Sequence, residues 1–356
     1  MEGERKLATV RQVGEVLPII GADAIELIKF KEVTWQCVSK ISEFKPGDYA
    51  VYFEIDSLLP CVEPFMFLES RGRKKIATGE EGYRLKTIKL KGTLSQGLAL
   101  PIKAFPNIHH DCFMGPLEGF DVTETLGIKK WEAPISAQLM GMAKGNFPGW
   151  LHKSDQERIQ NLKHLLETHA DRDFEVTIKM DGSSGSFYLK DDVFGVCSRN
   201  LDLKETEGNT YWKVARELKL EERLRRFKEE FGRNLMIQGE IVGEGIQKNR
   251  DNIKGHRLFV FDIWDIDAGH YVLPHTRYEY MAKLGLSKDD HHVPVLEWKK
   301  LKSFNSVQEI LEYAEGPGYN SPNREGVVFK CTIREDEIGI TTFKAISNKY
   351  LLKYEE

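Results

Sequence analysis

Cysteine is sparse and unpatterned: Cys37, Cys61, Cys112, Cys197 and Cys331 are scattered along 356 residues, with no Cys-x-x-Cys pair. That spacing excludes a disulfide framework and a cysteine-based zinc site, and it fits a reducing compartment, cytoplasm or nucleus. No apolar run approaches the ~20 residues that span a bilayer. The charged N-terminus, MEGERKLATV, lacks an apolar leader core, so neither secretion nor membrane association is expected. A surplus of positive charge is missing as well. The formal net charge is −4, which excludes a surface coated with lysine for indiscriminate polyanion binding but leaves room for a local patch. Internal repeats and low-complexity tracts are absent, and no obligate protein partner is evident.

What is present is the composition of a folded globular protein, 41% hydrophobic and 30% charged, at a length that favours two domains. Period-two or apolar runs at Ala8–Val13, Ile25–Phe30, Gln36–Ser39, Tyr49–Phe53 and Thr87–Leu90 predict short strands, with Lys45-Pro-Gly-Asp48 as a turn. Several strands within residues 1–105 and no long helix suggest a small barrel such as an OB-fold. Residues 106–150 carry prolines and glycines without periodicity and read as a linker or lid. His109-His110-Asp111-Cys112 lies there, but adjacent histidines diverge on most backbones, so it reads as loop, as does His291-His292.

From Ser154 the pattern changes. Ser154-Asp-Gln-Glu157 has capping-box spacing and predicts a helix over 155–168. Strands are expected at Phe174–Lys179, Gly185–Leu189, Leu235–Gly239, Leu258–Trp264, Gly326–Cys331 and Ile340–Ala345, interrupted by a charged, solvated helix from Tyr211 to Phe231. The third domain-scale segment is therefore 151–356, and the fold class is α+β.

The chemistry centres on Lys179-Met-Asp-Gly182, which ends a β-branched strand and enters a Gly-Ser-Ser-Gly turn. A lysine there can be held in a cleft at the strand's end. Downstream come Ser198-Arg199-Asn200, then Gln238-Gly-Glu240 and Phe259-Val-Phe-Asp-Ile263. Arg324-Glu-Gly-Val-Val-Phe-Lys330 and Thr342-Phe-Lys-Ala-Ile346 complete the series. In that order they resemble nucleotidyltransferase motifs I, Ia, III, IIIa, IV and V, shared by polynucleotide ligases and capping enzymes. Segments of the first third (Gly21–Glu26, Phe44–Asp48, Asp56–Pro60, Leu94–Leu98) resemble OB modules related to tRNA-binding domains. An OB module ahead of the catalytic domain, with Phe147-Pro and Lys153–Asn161, is similar to nick-sealing, ATP-dependent RNA ligases. The chain closes a dozen residues after Lys344, which leaves no room for the C-terminal OB domain of capping enzymes and most DNA ligases.

The resemblance implies roles. Lys179 would attack the α-phosphate of ATP and carry AMP. Asp181, Glu240 and Glu325 would surround a Mg2+ or Mn2+ ion. Arg199 would bind nucleotide or RNA-end phosphate, and Glu240 would also touch the ribose. Phe261 would stack on the purine, although it reads equally as core beside Phe259. Lys344 would neutralise the α-phosphate. Lys330 would assist, or else be a surface lysine at a strand end. Motif V often reads lysine-x-lysine; here Ala345 and Ile346 follow Lys344, and Lys349 is the available replacement. A free lysine titrates near ~10.4 and must lose its proton to react. Three acids around it push the wrong way, and a hydrated divalent cation would resolve the conflict. The partner implied is RNA, a nicked duplex or a strand with a 3′-hydroxyl. The basic stretch carrying Arg71, Arg73, Lys74, Lys75, Lys89 and Lys91 is the candidate grip on its backbone. The alternatives are a capping-type guanylyltransferase, a DNA ligase, or a noncatalytic RNA-binding protein.

Overall fold

The computed structural model describes residues 5–76, 79–108, 116–335 and 339–354; His109–Cys112 lies outside them. The chain divides into two compact units, one of Met1–Ile135, Gln160–Lys163 and Leu351–Glu356, the other of Ser136–Ile159 and His164–Tyr350. The architecture is α+β. Among the described residues no helix is long and apolar enough to cross a membrane.

In the first unit, alternating apolar residues produce a five-stranded antiparallel sheet in the order Leu98–Pro101, Tyr49–Phe53, Ala8–Pro18, Ile25–Phe30, Gln36–Lys40. The long first strand serves two neighbours. Its Ala8–Gln12 half pairs with Tyr49–Phe53 and, around an irregularity between Val13 and Glu15, its outer half pairs with Ile25–Phe30. A bulge of this kind bends the strand and curls the sheet. The open edge is bridged to the Thr87–Leu90/Thr93–Gln96 hairpin, where Val38 N donates to Ser95 Oγ and Gln36 Nε2 to Leu94 O, both at 3.0 Å. Val10, Val51, Phe53, Phe65 and Phe105 fill the interior.

The stretch 106–150, expected as linker or lid, is divided between the units by its backbone bonds. Val10 N donates to Phe120 O and Val122 N to Ala8 O, both at 2.9 Å, while Lys129–Lys130 pairs with Ser57–Leu58. Ala143–Asn146 instead pairs with Leu201–Leu203 in the second unit.

The basic stretch is partly neutralised by its own surroundings. Arg73 pairs with Glu69 at 3.0 Å, Lys75 with Glu81 at 3.9 Å, and Arg84 with Asp56 at 3.1 Å while stacking on Trp131. Arg71, Lys74, Lys89 and Lys91 are exposed.

The second unit is built on two sheets. One is a seven-stranded antiparallel sheet in the order Ala143–Asn146, Leu201–Leu203, Val193–Ser198, Ser183–Lys190, Leu235–Gly243, His256–Asp265, His270–Tyr271. The other runs Glu157–Arg158, Thr342–Ile346, Gly326–Cys331, Asp173–Lys179, Val295–Lys300, antiparallel except for its first pair. Ile178 and Met180 pack against Val242 and Phe259 of the larger sheet.

Two helix expectations are corrected. Residues 155–168 do not form a helix: Glu157–Arg158 is a strand, Ile159–Asn161 a 3-10 turn, and only Leu165–Thr168 is α-helical. The Ser154 hydroxyl, which would have capped a helix, donates to Asp262 at 3.1 Å, and parallel pairing with Phe343–Lys344 draws the chain straight. The charged helix is two, Thr210–Glu217 and Leu220–Phe231, broken where Lys219 takes φ 51°.

Candidate active site

Lys179 is the last residue of its strand, and Ser183 opens a strand of the other sheet, so only Met180, Asp181 and Gly182 carry the chain across. Glycine at 182 is required by the approach. A Cβ there would lie 2.3 Å from Ile241 O and 3.0 Å from Glu240 Cγ. The crossing thus brings the Lys179 turn against the strand bearing Glu240, and Ser184 stands opposite Glu240 in register. On the other side Lys179 pairs with Gly326, which sets Glu325 next to the amine. Gly326 is equally constrained, since a Cβ would meet Ala345 O at 2.2 Å.

The Lys179 Nζ lies 2.8 Å from Glu325 Oε1. Burial alone would lower the lysine's pKa, but Glu325, Glu240 and Asp181 together outweigh it and raise the value above that of an ordinary lysine. Burial also pushes the Glu240 carboxyl up to about 7, opposed by Lys179 and reinforced by Glu325. Left to itself, then, the amine is held protonated. Asp181 forms an ion pair with Arg250, whose Nη1 also donates to Tyr350 Oη at 2.9 Å.

Arg199 and Lys344 converge from different sheets. Arg199 sits in the turn after Val193–Ser198, Lys344 in the strand Thr342–Ile346. Both bind Asp155, whose Oδ1 accepts from Lys344 Nζ at 3.0 Å and whose Oδ2 accepts from Arg199 Nη2 at 3.2 Å.

Phe261 occupies a β-bulge. Gln238 pairs with Asp262 and Gly239 with Val260, so Phe261 is the extra residue between them. A bulge re-aims a side chain, which distinguishes the half-buried Phe261 from Phe259, a core residue at 1% exposure. Below it lies a buried ionic network. Lys330 Nζ pairs with Asp262 at 2.7 Å and donates to Phe261 O, while Arg277 bonds Glu175 and donates through Nε to His292 Nε2 at 3.0 Å. Burial lowers the Lys330 pKa, the nearby Arg277 adds to that, and Asp262 opposes it.

Three carboxylates without a thiol or imidazole are the donor chemistry of a hard divalent cation. Among the described residues, however, no three His, Cys, Asp or Glu side chains gather closely enough to hold an ion directly. Glu325 is engaged by Lys179 and Asp181 by Arg250. The residues fit an ion that keeps its own water shell, as Mg2+ does, better than a cage of direct ligands.

Residues 172–346 match the family model described as RNA ligase, and residues 7–102 match an OB-fold domain. No curated protein matches in sequence. Among solved structures, a mutant of the Naegleria gruberi RNA ligase with AMP and Mn is 43% identical, with a TM-score of 0.85 over 99% of both chains. The same organism's RNA ligase with PPi is 44% identical over 99% of both chains at a TM-score of 0.85. A further mutant with ATP and Mn is 43% identical, with a TM-score of 0.84 over 99% of this chain and 100% of that one. The chain belongs to the RNA ligase family.

In this RNA ligase family member the motif residues fall into groups. Lys179, Asp181, Glu240 and Glu325 meet around the amine; Arg199 and Lys344 meet at Asp155. Lys330 is not a surface lysine: it is 4% exposed and belongs to the buried network. Lys349, the possible substitute in motif V, is exposed and pairs with Glu315 at 2.6 Å. His291 ends a short helix instead of lying in a loop, while His292, just past that helix, is buried against Arg277. Sequence reasoning missed Asp155, absorbed into an expected helix, and also Arg250 and Arg277. The one signal available was the acid inside the apolar run Phe259–Ile263, since a buried Asp262 demands a cation.

Proposed function

We propose that this chain joins RNA 3′-hydroxyl and 5′-phosphate ends, at nicks, with AMP carried on Lys179. The Lys179 amine attacks the α-phosphorus of ATP, a P–N bond forms, the bond to the bridging oxygen breaks, and pyrophosphate departs. The RNA 5′-phosphate oxygen then attacks the AMP phosphorus and releases Lys179. Attack by the 3′-hydroxyl on the activated 5′-phosphorus forms the phosphodiester and expels AMP.

The reading rests on one observation: a lysine at a strand end, 2.8 Å from Glu325 and ringed by Glu240 and Asp181. Arg199 and Lys344 would receive phosphate oxygens, as charged donors in a partly buried site do well. Glu240 would contact the ribose and Phe261 the purine. Lys330 acts from below, holding Asp262 and so the bulge that aims Phe261. A divalent metal ion, when bound by Asp181, Glu240 and Glu325 through water, supplies positive charge that favours the neutral amine. ATP and Mn occur in structures of the Naegleria relative, which supports ATP and a divalent ion here.

The exposed Arg71, Lys74, Lys89 and Lys91 are the proposed contacts to the RNA backbone, with Arg73 and Lys75 tempered by their glutamates. The described cysteines are free, in keeping with a reducing compartment, cytoplasm or nucleus. The test is exposure of the protein to labelled ATP or GTP with a divalent cation, followed by denaturation. Label from ATP should persist on Lys179, whereas label from GTP alone would make the enzyme a guanylyltransferase. Sealing of a nick whose 3′-hydroxyl strand is RNA, compared with DNA, checks the substrate.

A further inference from the structure

Asp155 lies outside the six nucleotidyltransferase motifs, within the Lys153–Asn161 segment, yet its carboxylate divides itself between the two cations assigned to phosphate. One oxygen accepts from Lys344 at 3.0 Å and the other from Arg199 at 3.2 Å. This is not a chance surface pair, because the chain is pinned on both sides of it. Lys153 donates to the Asn200 side chain at 3.0 Å, and Ser154 donates to Asp262 at 3.1 Å. Asp262 is in turn fixed by Lys330 at 2.7 Å. Just beyond, Glu157 and Arg158 pair with Phe343 and Lys344, so the backbone of one cation's own strand positions the acid. Arg199 and Lys344 repel each other, and without a shared anion they would splay apart.

We propose that Asp155 is an internal phosphate surrogate. It holds Arg199 and Lys344 aimed at one point before nucleotide binds, and it competes for them with the pyrophosphate leaving group. The inference rests on the reading of those two cations as phosphate contacts. With Asp155 in place the three side chains carry one net positive charge; without it they carry two. A tethered carboxylate competes at high effective concentration, and its penalty is steepest for the most highly charged ligand. Pyrophosphate therefore gains most when Asp155 is neutralised. Asp155 is a positioning residue whose charge hastens product departure and restrains the reverse reaction.

The test uses the full chain with Asp155→Asn, which keeps the side chain's shape and removes its charge, and Asp155→Glu, which restores the charge. Pyrophosphate is titrated calorimetrically in the presence of Mg2+, and separately as an inhibitor of AMP-adduct formation. The expected result is pyrophosphate binding about tenfold tighter in D155N, the size of one charge contact in a partly solvated site, with a matching rise in inhibition. D155E should return towards the parent protein. Equal or weaker pyrophosphate binding in D155N overturns the proposal, as does failure of both variants to fold, which would make the residue purely structural. Should the parent protein form no lysyl adduct, the reading of Lys179 fails, but the calorimetric comparison still decides the role of Asp155.

Discussion

Substitution Arg277→Met tests whether the ionic network beneath the site is a true structural element. Arg277 and Glu175 are both buried, with side chains 1% and 0% exposed. Glu175 lies on the Lys179 strand, and Tyr278 Oη also donates to it. Methionine roughly keeps the volume and removes the charge, leaving the Glu175 carboxylate buried without its cation. Breaking such a pair from one side costs about 3–5 kcal/mol, far more than the pair contributes relative to an apolar replacement. For a unit of this size each kcal/mol moves the midpoint by about 2–4 °C, so thermal unfolding should fall by about 6–20 °C. The double substitution Glu175→Met with Arg277→Met removes both charges and should recover most of the loss. Scanning calorimetry on the three variants decides the matter. A single variant within about 2 °C of the parent, or a double variant worse than either single one, refutes the reasoning.

Other outcomes follow from the same geometry. Because the folded Glu240 carboxyl is pushed up to about 7, the folded protein binds more protons than the unfolded chain between its ordinary value and that point. Stability without metal should therefore fall as pH rises through that window; Glu240→Gln should flatten the slope in denaturant titrations, and an unchanged slope counts against the assignment. In Gly182→Ala the new methyl meets Ile241 O at 2.3 Å. It should cost about 1–3 kcal/mol and slow adduct formation by up to about a hundredfold; an adduct rate equal to the parent's would mean the crossing tolerates displacement. Charge reversal at Lys89 and Lys91 should weaken nick sealing and make it less steeply dependent on salt, because fewer phosphate contacts release fewer counterions, while sparing AMP-adduct formation. Sealing that survives intact would reduce the patch to ordinary surface.

Much of this was legible before the fold was known, for identifiable reasons. Strands such as Gly326–Cys331 carry their signal locally, in β-branched runs ended by glycine or charge, and the expected and observed bounds coincide. The candidate site residues could be named because their order along the chain resembles a family pattern. What failed depends on distant partners. Ser154-x-x-Glu157 has helix-capping spacing, but Asp262, 108 residues away, takes the serine hydroxyl. Likewise the carboxylate of Asp155 meets Lys344 only 189 residues later, and Arg277 meets Glu175 across 102 residues. No local period encodes such pairings. The break at Lys219, with neither glycine nor proline to mark it, is invisible for a related reason, since a left-handed lysine has no sequence signature.

The most direct measurement is the intact mass of the protein after exposure to ATP and a divalent cation, with the modified peptide sequenced. The account predicts a gain of one AMP, located on Lys179 and abolished in Lys179→Ala. An adduct on another residue, or a protein that never retains nucleotide with Mg2+ or Mn2+, contradicts it.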